Sequence, residues 1–432
     1  MTGTAGSASL VRQVPSFAPL LLATLLAKSG ATMVGLAMGF VAYDQTASAF
    51  AVAIVVSSFG IAFALSSLIA GHVLERVGLR TMLVGALASQ IAGALALASV
   101  TSTEGTDVTW LTVCGLGSGL ASAFIYLGSQ MLIHGLAPDE HLERAVSLDA
   151  AASSLSRIAG PALGGFLLAQ IGIPPVFLIA AVGYVPLGIV VAFVAAPVVA
   201  RGDAGHRPNL REAARFFRRL PLLRWALITA ALAETLALPL VIMLPAVTAS
   251  LNRDSADRLG ILVACVAVGS VGQVVILTRL RARLDARWIV AVAYGAAGAV
   301  LLGLAVGGDV FVAGALLVAF GLSVSIGRTL VMTCVHVGSP DSHRHHVLSL
   351  YLFVTAAATP IGALIWGAAA DLVGIDATIA GSGLVLVFGI LLTFVAIVRG
   401  HADVPAAVAP RAVSASPPAS TTAARVAVPA AD

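Results

Sequence analysis

The sequence predicts an all-α integral membrane protein in which twelve transmembrane helices form two pseudo-symmetric six-helix bundles. Three observations predict it. Of 432 residues, 59% are hydrophobic and only 10% charged, with a mean hydropathy of +1.02; a soluble domain is about one-quarter charged. The apolar residues gather into runs of roughly 20, the length a helix needs to cross bilayer hydrocarbon. The two halves of the chain also echo each other, Lys28 and Glu234 standing at equivalent depths 206 positions apart (234 − 28), as expected of duplicated bundles.

The runs lie near 17–43, 48–71, 81–100, 109–133, 147–169, 173–198, 223–249, 259–279, 287–306, 311–333, 347–370 and 376–398. The first is too long for the roughly 7–15-residue core of a signal peptide, so it reads as an uncleaved helix. Arg12, Arg76, Arg80, Arg144, the groups 201–224 and 279–287, Arg344 and Arg399 fall on one side of the spans. On the other side only Arg253 and Arg258 appear, among Asp44, Glu104, Asp107, Asp254, Asp257, Asp309 and Asp376. The positive-inside rule therefore places both termini in the cytoplasm. The expected order is a short segment 1–16, a bundle 17–198, a linker 199–222, a bundle 223–398 and a disordered tail 399–432 of Ala, Val, Pro, Ser and Thr. Within the linker, 209–220 reads as a cationic amphipathic helix capped by Asn209 and lying on the inner leaflet.

The net charge of +4 is a topology signal, with the lipid bilayer and not nucleic acid as partner. Lys28 is the single lysine among 24 basic residues, and this Arg bias, with abundant Ala, Gly and Val, suggests a GC-rich bacterial genome; a bacterial inner membrane is the expected location. A monomer is expected. Cys114, Cys265 and Cys334 lie in or beside spans and read as small buried hydrophobes. No GxSxG, HExxH or GxxxxGK[ST] stretch occurs, so neither enzymatic activity nor a cofactor nor ATP-driven pumping is expected. An ion gradient, most simply of protons, is the energy source left.

The stretch Ser153 to Phe166 is the densest in functional signals. Arg157, Pro161 and Gly164 share an arc of about 60° on a helix, so one face carries a cation, a helix breaker and bare backbone. Pro161 frees a carbonyl beside the guanidinium, while Gly160 and Gly164 admit a close neighbour. An ionised side chain at mid-membrane costs roughly 2.5–3.5 kcal/mol on insertion scales and normally faces protein or a watery cavity. The deepest such groups are Lys28, Arg157 and Glu234, with Arg328 nearer the cytoplasmic end of span ten. Thr24, Lys28 and Thr32 form an i, i+4 stripe on span one, and Glu234 sits among small alanines. A Lys28–Glu234 or Arg157–Glu234 pair would lower the cost of burying either charge. Gln90 and Gln273 read equally as links between helices or as cavity lining, and Phe17, Trp110 and Trp225 as interfacial anchors.

Gly71-x-x-x-Glu75-Arg76-x-Gly78-x-Arg80 resembles the signature between spans two and three of the major facilitator superfamily, with Glu75 where an Asp is usual. Gly160-Pro161-x-x-Gly164-Gly165 resembles the end of that superfamily's antiporter signature, and Pro360 in span eleven echoes Pro161. The strings 43–49, 144–148 and 347–351 resemble the branch containing the enterobactin exporter and macrolide-efflux-like proteins. Three departures stand out. Span four lacks the Arg of drug antiporters, the second-half loop has Ala282 at the acidic position, and His343-Arg344-His345-His346 replaces a usual Arg-Gly-Arg. The histidine cluster reads as a solvated loop end and not a metal site.

The resemblance implies the major facilitator fold, a cytoplasmic gate of Gly71, Glu75, Arg76, Gly78 and Arg80, and a small-molecule substrate carried by alternating access. Glu234 is the expected protonatable switch, Lys28 and Arg157 its cationic companions, and Thr24, Thr32, Gly160, Pro161, Gly164, Gly165 and Pro360 the cavity or bend residues. Proton-coupled efflux of an amphipathic drug, macrolide-like metabolite or siderophore is the leading expectation. Proton-coupled import of a nutrient or organic anion, and a transport-inactive scaffold or sensor, stand as alternatives.

Overall fold

The computed structural model describes residues 17–102, 107–136, 142–193, 215, 217, 220–251, 256–281, 284–307, 309–339 and 344–399. All described elements are helices. The first half contains α1 (Phe17–Thr46), α2 (Ala49–Val77), α3 (Leu79–Val100), α4 (Val108–Leu136), α5 (Leu142–Ile171) and α6 (Ile173–Phe193). The second contains α7 (Pro221–Leu236), α8 (Pro239–Ile242), α9 (Leu244–Leu251), α10 (Ala256–Arg281), α11 (Ala286–Ala305), α12 (Val310–Gly338), α13 (Arg344–Val373) and α14 (Ile375–Arg399). The 1–16 segment, the 400–432 tail and nearly all of the 209–220 helix lie outside the described residues. Of that linker, Phe217 is described, and it is buried in the core.

Among the described residues, eleven of the twelve predicted spans are long and apolar enough to cross a membrane. In α5, the span predicted at 147–169, Ala159–Ile171 is a shorter apolar stretch among the described residues, and the part of the helix before it carries Glu143, Arg144, Asp149 and Arg157. The outer faces are oily, as lipid-facing surfaces must be: Phe193, Phe311 and Leu372 are more than four-fifths exposed. Tight turns reverse the chain. Gly78, at φ 79°, ends α2 and starts α3 in a conformation that side chains resist, and the Ser48 hydroxyl caps α2 by accepting from the Ala51 N–H.

The seventh span, expected as one helix over 223–249, is instead broken into α7, α8 and α9. Pro239 has no N–H and its ring displaces the carbonyl four residues back, so the Ala233 carbonyl accepts from both Ala237 and Leu238 at the break. The displaced Thr235 carbonyl packs on Gly362 of α13, where any side chain would collide with it. A discontinuous helix of this kind needs protein around it to satisfy its backbone.

Small residues set the helix crossings. Gly115 and Gly119 of α4 receive the backbone of α2, and Gly269 of α10 meets the backbone of α12. The two bundles meet at the end opposite Phe17. Gly165 of α5 abuts Gly260 of α10, Gly367 of α13 abuts Ala53, and Gly60 of α2 abuts Pro360. At the Phe17 end the first bundle has a separate apolar core of Phe17, Leu74, Leu83, Leu132 and Ile133. Phe17 and Trp225 are 1% and 5% exposed, so these two are core residues and not interfacial anchors; Trp110 is exposed as expected.

Asp371, at the end of α13, clasps the start of α2 across this closed end. Its carboxylate accepts from the Ser48 hydroxyl at 2.6 Å and from the Ala49 N–H at 2.9 Å, an anion at a helix N-terminus. Asp371→Ala is expected to raise the population with this end separated by about fivefold. Electron–electron distances between spin labels on the α1–α2 and α13–α14 turns check it, and an unchanged distance distribution would assign closure to the glycine contacts alone.

Candidate functional site

Between the bundles lies a cavity of about 250 Å³ lined from α1, α2, α4 and α5 on one side and α8, α9 and α10 on the other. Val55, Met38, Val241, Ile242 and Pro245 make it apolar, and Thr32 and Ser118 supply its hydroxyls. A second hollow of about 240 Å³ lies inside the first bundle and shares Ala31, Thr32 and Phe59 with the first. Lys28, Gln90, Ser122, Tyr126 and Tyr184 line it. Phe63 stacks on Phe59 at 6.3 Å between ring centroids and meets Tyr126 edge-on at 6.1 Å, a favourable quadrupolar arrangement.

Lys28 sits in this wall and is 16% exposed. Its ammonium is 2.9 Å from Asp149 Oδ1, donates to Ser153 Oγ at 2.6 Å and lies 5.7 Å from the centre of the Tyr126 ring. Gln130 Nε2 donates to the other oxygen of Asp149 at 3.1 Å. The expected Lys28–Glu234 pair is therefore not formed, because a carboxylate on α5 reaches Lys28 within its own bundle. In the second bundle Glu234, 5% exposed, lies 3.2 Å from Arg328 Nε and accepts from the Thr359 hydroxyl at 2.6 Å. The Arg157 side chain lies outside the described residues, and so does any pairing it makes.

These two clusters share one design with opposite polarity. A charge on the first helix of each bundle is met by a hydroxyl on the fifth, and Ser153 and Thr359 are separated by the same 206 positions as Lys28 and Glu234 (359 − 153). The proline echo does not share that register. Pro161 lines the central cavity, whereas Pro360 packs on Gly60 and its carbonyl accepts from Ser57 at 3.0 Å, at the contact between bundles. Both prolines lie inside unbroken helices.

The remaining expected residues divide between lining and packing. Thr32 lines both hollows, and its hydroxyl lies within hydrogen-bond distance of the Lys28, Ser29 and Ser156 carbonyls. Thr24 is fully buried with no hydrogen-bond partner for its hydroxyl, off the described lining of either hollow. Gly160 packs on Ser29 and Thr32, Gly164 on Met33 and Gly165 on Gly260; these glycines are crossing points and not lining. Gln90 does both things proposed for it, donating to Ser118 O and Ser122 Oγ and lining the inner hollow. Gln273 accepts from Thr329 of α12.

At the loop signature, Glu75 is 3.9 Å from His72 of the same helix and Arg80 donates to the Ala192 carbonyl of α6. Arg76 is exposed, Gly78 forms the turn, and Gly71 lies within α2. The described partners of these residues are all in the first bundle. The side chains of His343, His345 and His346 lie outside the described residues, and among those described no cluster of three metal-ligating side chains occurs.

Asp149 and Tyr184 escaped the sequence reading. Asp149 had a legible signal, since Asp149, Ser153 and Arg157 stand at i, i+4 and i+8 on one face of α5. Tyr184, inside an apolar run, had none.

A family model described as Major Facilitator Superfamily matches residues 20–363. The chain is similar to an uncharacterised MFS-type transporter, YfiS of Bacillus subtilis (strain 168), 26% identical over 287 residues covering 60% of this chain. That match spans 65% of the relative's length. Among solved structures, it resembles a bacterial homologue of the human lysosomal transporter Spinster, inward-facing and unoccupied, with TM-score 0.71 and 14% identity, covering 88% of this chain and 97% of that one. It also resembles the nucleoside transporter NupG, with TM-score 0.68 and 13% identity, covering 88% of this chain and all of that one. At such identities the likeness establishes the fold alone.

Proposed function

The chain belongs to the Major Facilitator Superfamily, and on that premise we propose that it is a proton-coupled exporter of amphipathic small molecules in a bacterial inner membrane. The observation that carries this reading is the pair of adjoining hollows, one apolar between the bundles and one aromatic and polar inside the first, the latter lined by Lys28 of the Lys28–Asp149 pair. A cargo with an oily part and a polar part matches that partition, and pockets of this kind orient ligands through a few polar groups in an apolar wall.

With the termini in the cytoplasm, as the arginine distribution indicates, the end closed by Gly165–Gly260 and Asp371 is the outer one. The cavity is then loaded from the cell interior, which suits export. Rocking of the bundles about the midplane would part these outer contacts and bring the Glu75, Arg76 and Arg80 turn toward the second bundle as the inner gate. Glu234 is the coupling carboxylate in this scheme.

The test is efflux of a panel of drugs, macrolides and siderophores from cells and into inverted vesicles, with and without an uncoupler, for wild type and Arg157→Ala. Uncoupler-sensitive extrusion of a panel member, weakened by Arg157→Ala, supports the proposal. Accumulation in cells that the uncoupler abolishes would replace export by import.

A further inference from the structure

We propose that the hollow inside the first bundle is a head-group subsite for an uncharged aromatic ring bearing a carbonyl or other hydrogen-bond acceptor. The inference rests on the export reading above and adds the chemical class of the cargo's polar end. Its basis is an imbalance of donors and acceptors in the wall.

The carboxylate beside Lys28 and the amide of Gln90 are already engaged. Asp149 receives Lys28 on one oxygen and Gln130 on the other, and Gln90 Oε1 receives the Ser118 hydroxyl at 2.8 Å. Both amide protons of Gln90 are used as well, on Ser118 O and Ser122 Oγ. Donors are left over. Tyr184 lines the hollow, is 1% exposed, and its hydroxyl has no hydrogen-bond partner. The Lys28 ammonium carries three protons and directs two of them to Asp149 and Ser153. Ser122 accepts from Gln90 and keeps its own proton to give. Hydroxyls both donate and accept, but the Lys28 ammonium only donates, so a ligand that accepts can take its remaining proton as well as satisfy the buried Tyr184 hydroxyl that otherwise goes unpaired.

Charge and shape narrow the class further. The Lys28 ammonium is matched by Asp149 at 2.9 Å, so a ligand anion beside it would bring an unmatched negative charge into low dielectric, which proteins avoid. The Phe59, Phe63 and Tyr126 rings offer faces and edges to a flat partner. The apolar cavity that joins at Thr32 and Phe59 then takes the aliphatic remainder of the same molecule.

A matched naphthalene series tests this on the full-length protein in lipid nanodiscs, with binding to empty nanodiscs subtracted. 2-Acetylnaphthalene, which carries a neutral acceptor, is expected to bind about tenfold more tightly than 2-isopropylnaphthalene, which has none, and than the anion 2-naphthoate. Tyr184→Phe, which removes only the unpaired hydroxyl, is expected to weaken 2-acetylnaphthalene about fivefold and leave 2-isopropylnaphthalene unchanged. Tyr126→Ala is expected to weaken both neutral probes. Equal affinities for the two neutral probes, tightest binding of 2-naphthoate, or indifference of 2-acetylnaphthalene to Tyr184→Phe would each overturn the proposal. Tyr184-dependent binding without uncoupler-sensitive extrusion of any panel member would overturn the export reading and uphold the subsite. Extrusion by a protein that binds the two neutral probes equally would do the reverse.

Discussion

Replacing Asp149 by Asn is expected to destabilise the first bundle and abolish transport, while the double replacement Lys28→Met with Asp149→Leu is expected to restore stability without restoring transport. Removing one member of a buried ion pair strands the other, a loss of about 3–5 kcal/mol. Asp149 is 2% exposed and Lys28 16%, so the stranded ammonium would keep Ser153 and the Tyr126 ring but no counter-charge. Gln130 would also face an amide in place of a full carboxylate. An apolar pair of similar volume removes both desolvation costs and is often neutral or stabilising. Thermal unfolding midpoints in nanodiscs give the first half of the cycle and efflux of a panel drug the second. Normal efflux by the double variant would reduce the pair to a packing lock between α1 and α5 and take Lys28 out of the cargo's path.

The reason Lys28 and Glu234 were legible in the sequence and their partners were not lies in what each depends on. A lone charge within twenty apolar residues is conspicuous by its cost, and both charges are indeed buried at hollows or in ion pairs. Which counter-charge reaches them depends on where two helices cross, and Asp149 and Arg328 lie 121 and 94 positions away (149 − 28, 328 − 234). The assumption that the two conspicuous charges would meet across the repeat axis failed because each bundle neutralises its own.

Backbone signals behaved similarly. The spans followed from hydropathy, yet the seventh was read through Pro239 and Pro245 as if continuous. Pro161 and Pro360 do sit in unbroken helices, so a proline alone does not decide between a bend and a break. At Pro239 the glycine of a neighbouring helix, Gly362, makes room for the displaced carbonyl, and a neighbour is what a single span cannot show. The clasp of Asp371 on α2 is illegible for the same reason, since it joins positions 48 and 371.

Glu234→Gln is expected to lower uphill efflux by a factor within the roughly 5–150-fold range of a 1–3 kcal/mol coupling free energy, and to flatten its pH dependence, while sparing exchange of cargo down its gradient. The amide keeps the volume and can still accept from Thr359, the 2.6 Å bond on Oε2, so α7 and α13 stay tied. What is lost is the charge opposite Arg328 Nε, and with it the site where a proton could release the guanidinium. The exposure of the two partners is unequal: the carboxylate is 5% exposed and the guanidinium 51%. The carboxylate is thus the member of the pair that water hardly reaches. The Pro239 break begins only three residues after Glu234, so breaking the pair loosens α7 at the point where the seventh span is already divided. Uphill efflux and equilibrium exchange measured on the same proteoliposomes separate the two roles. Loss of both in parallel, or retention of uphill efflux with its pH profile intact, would make Glu234 a strut between α7, α12 and α13 and move proton coupling to another residue.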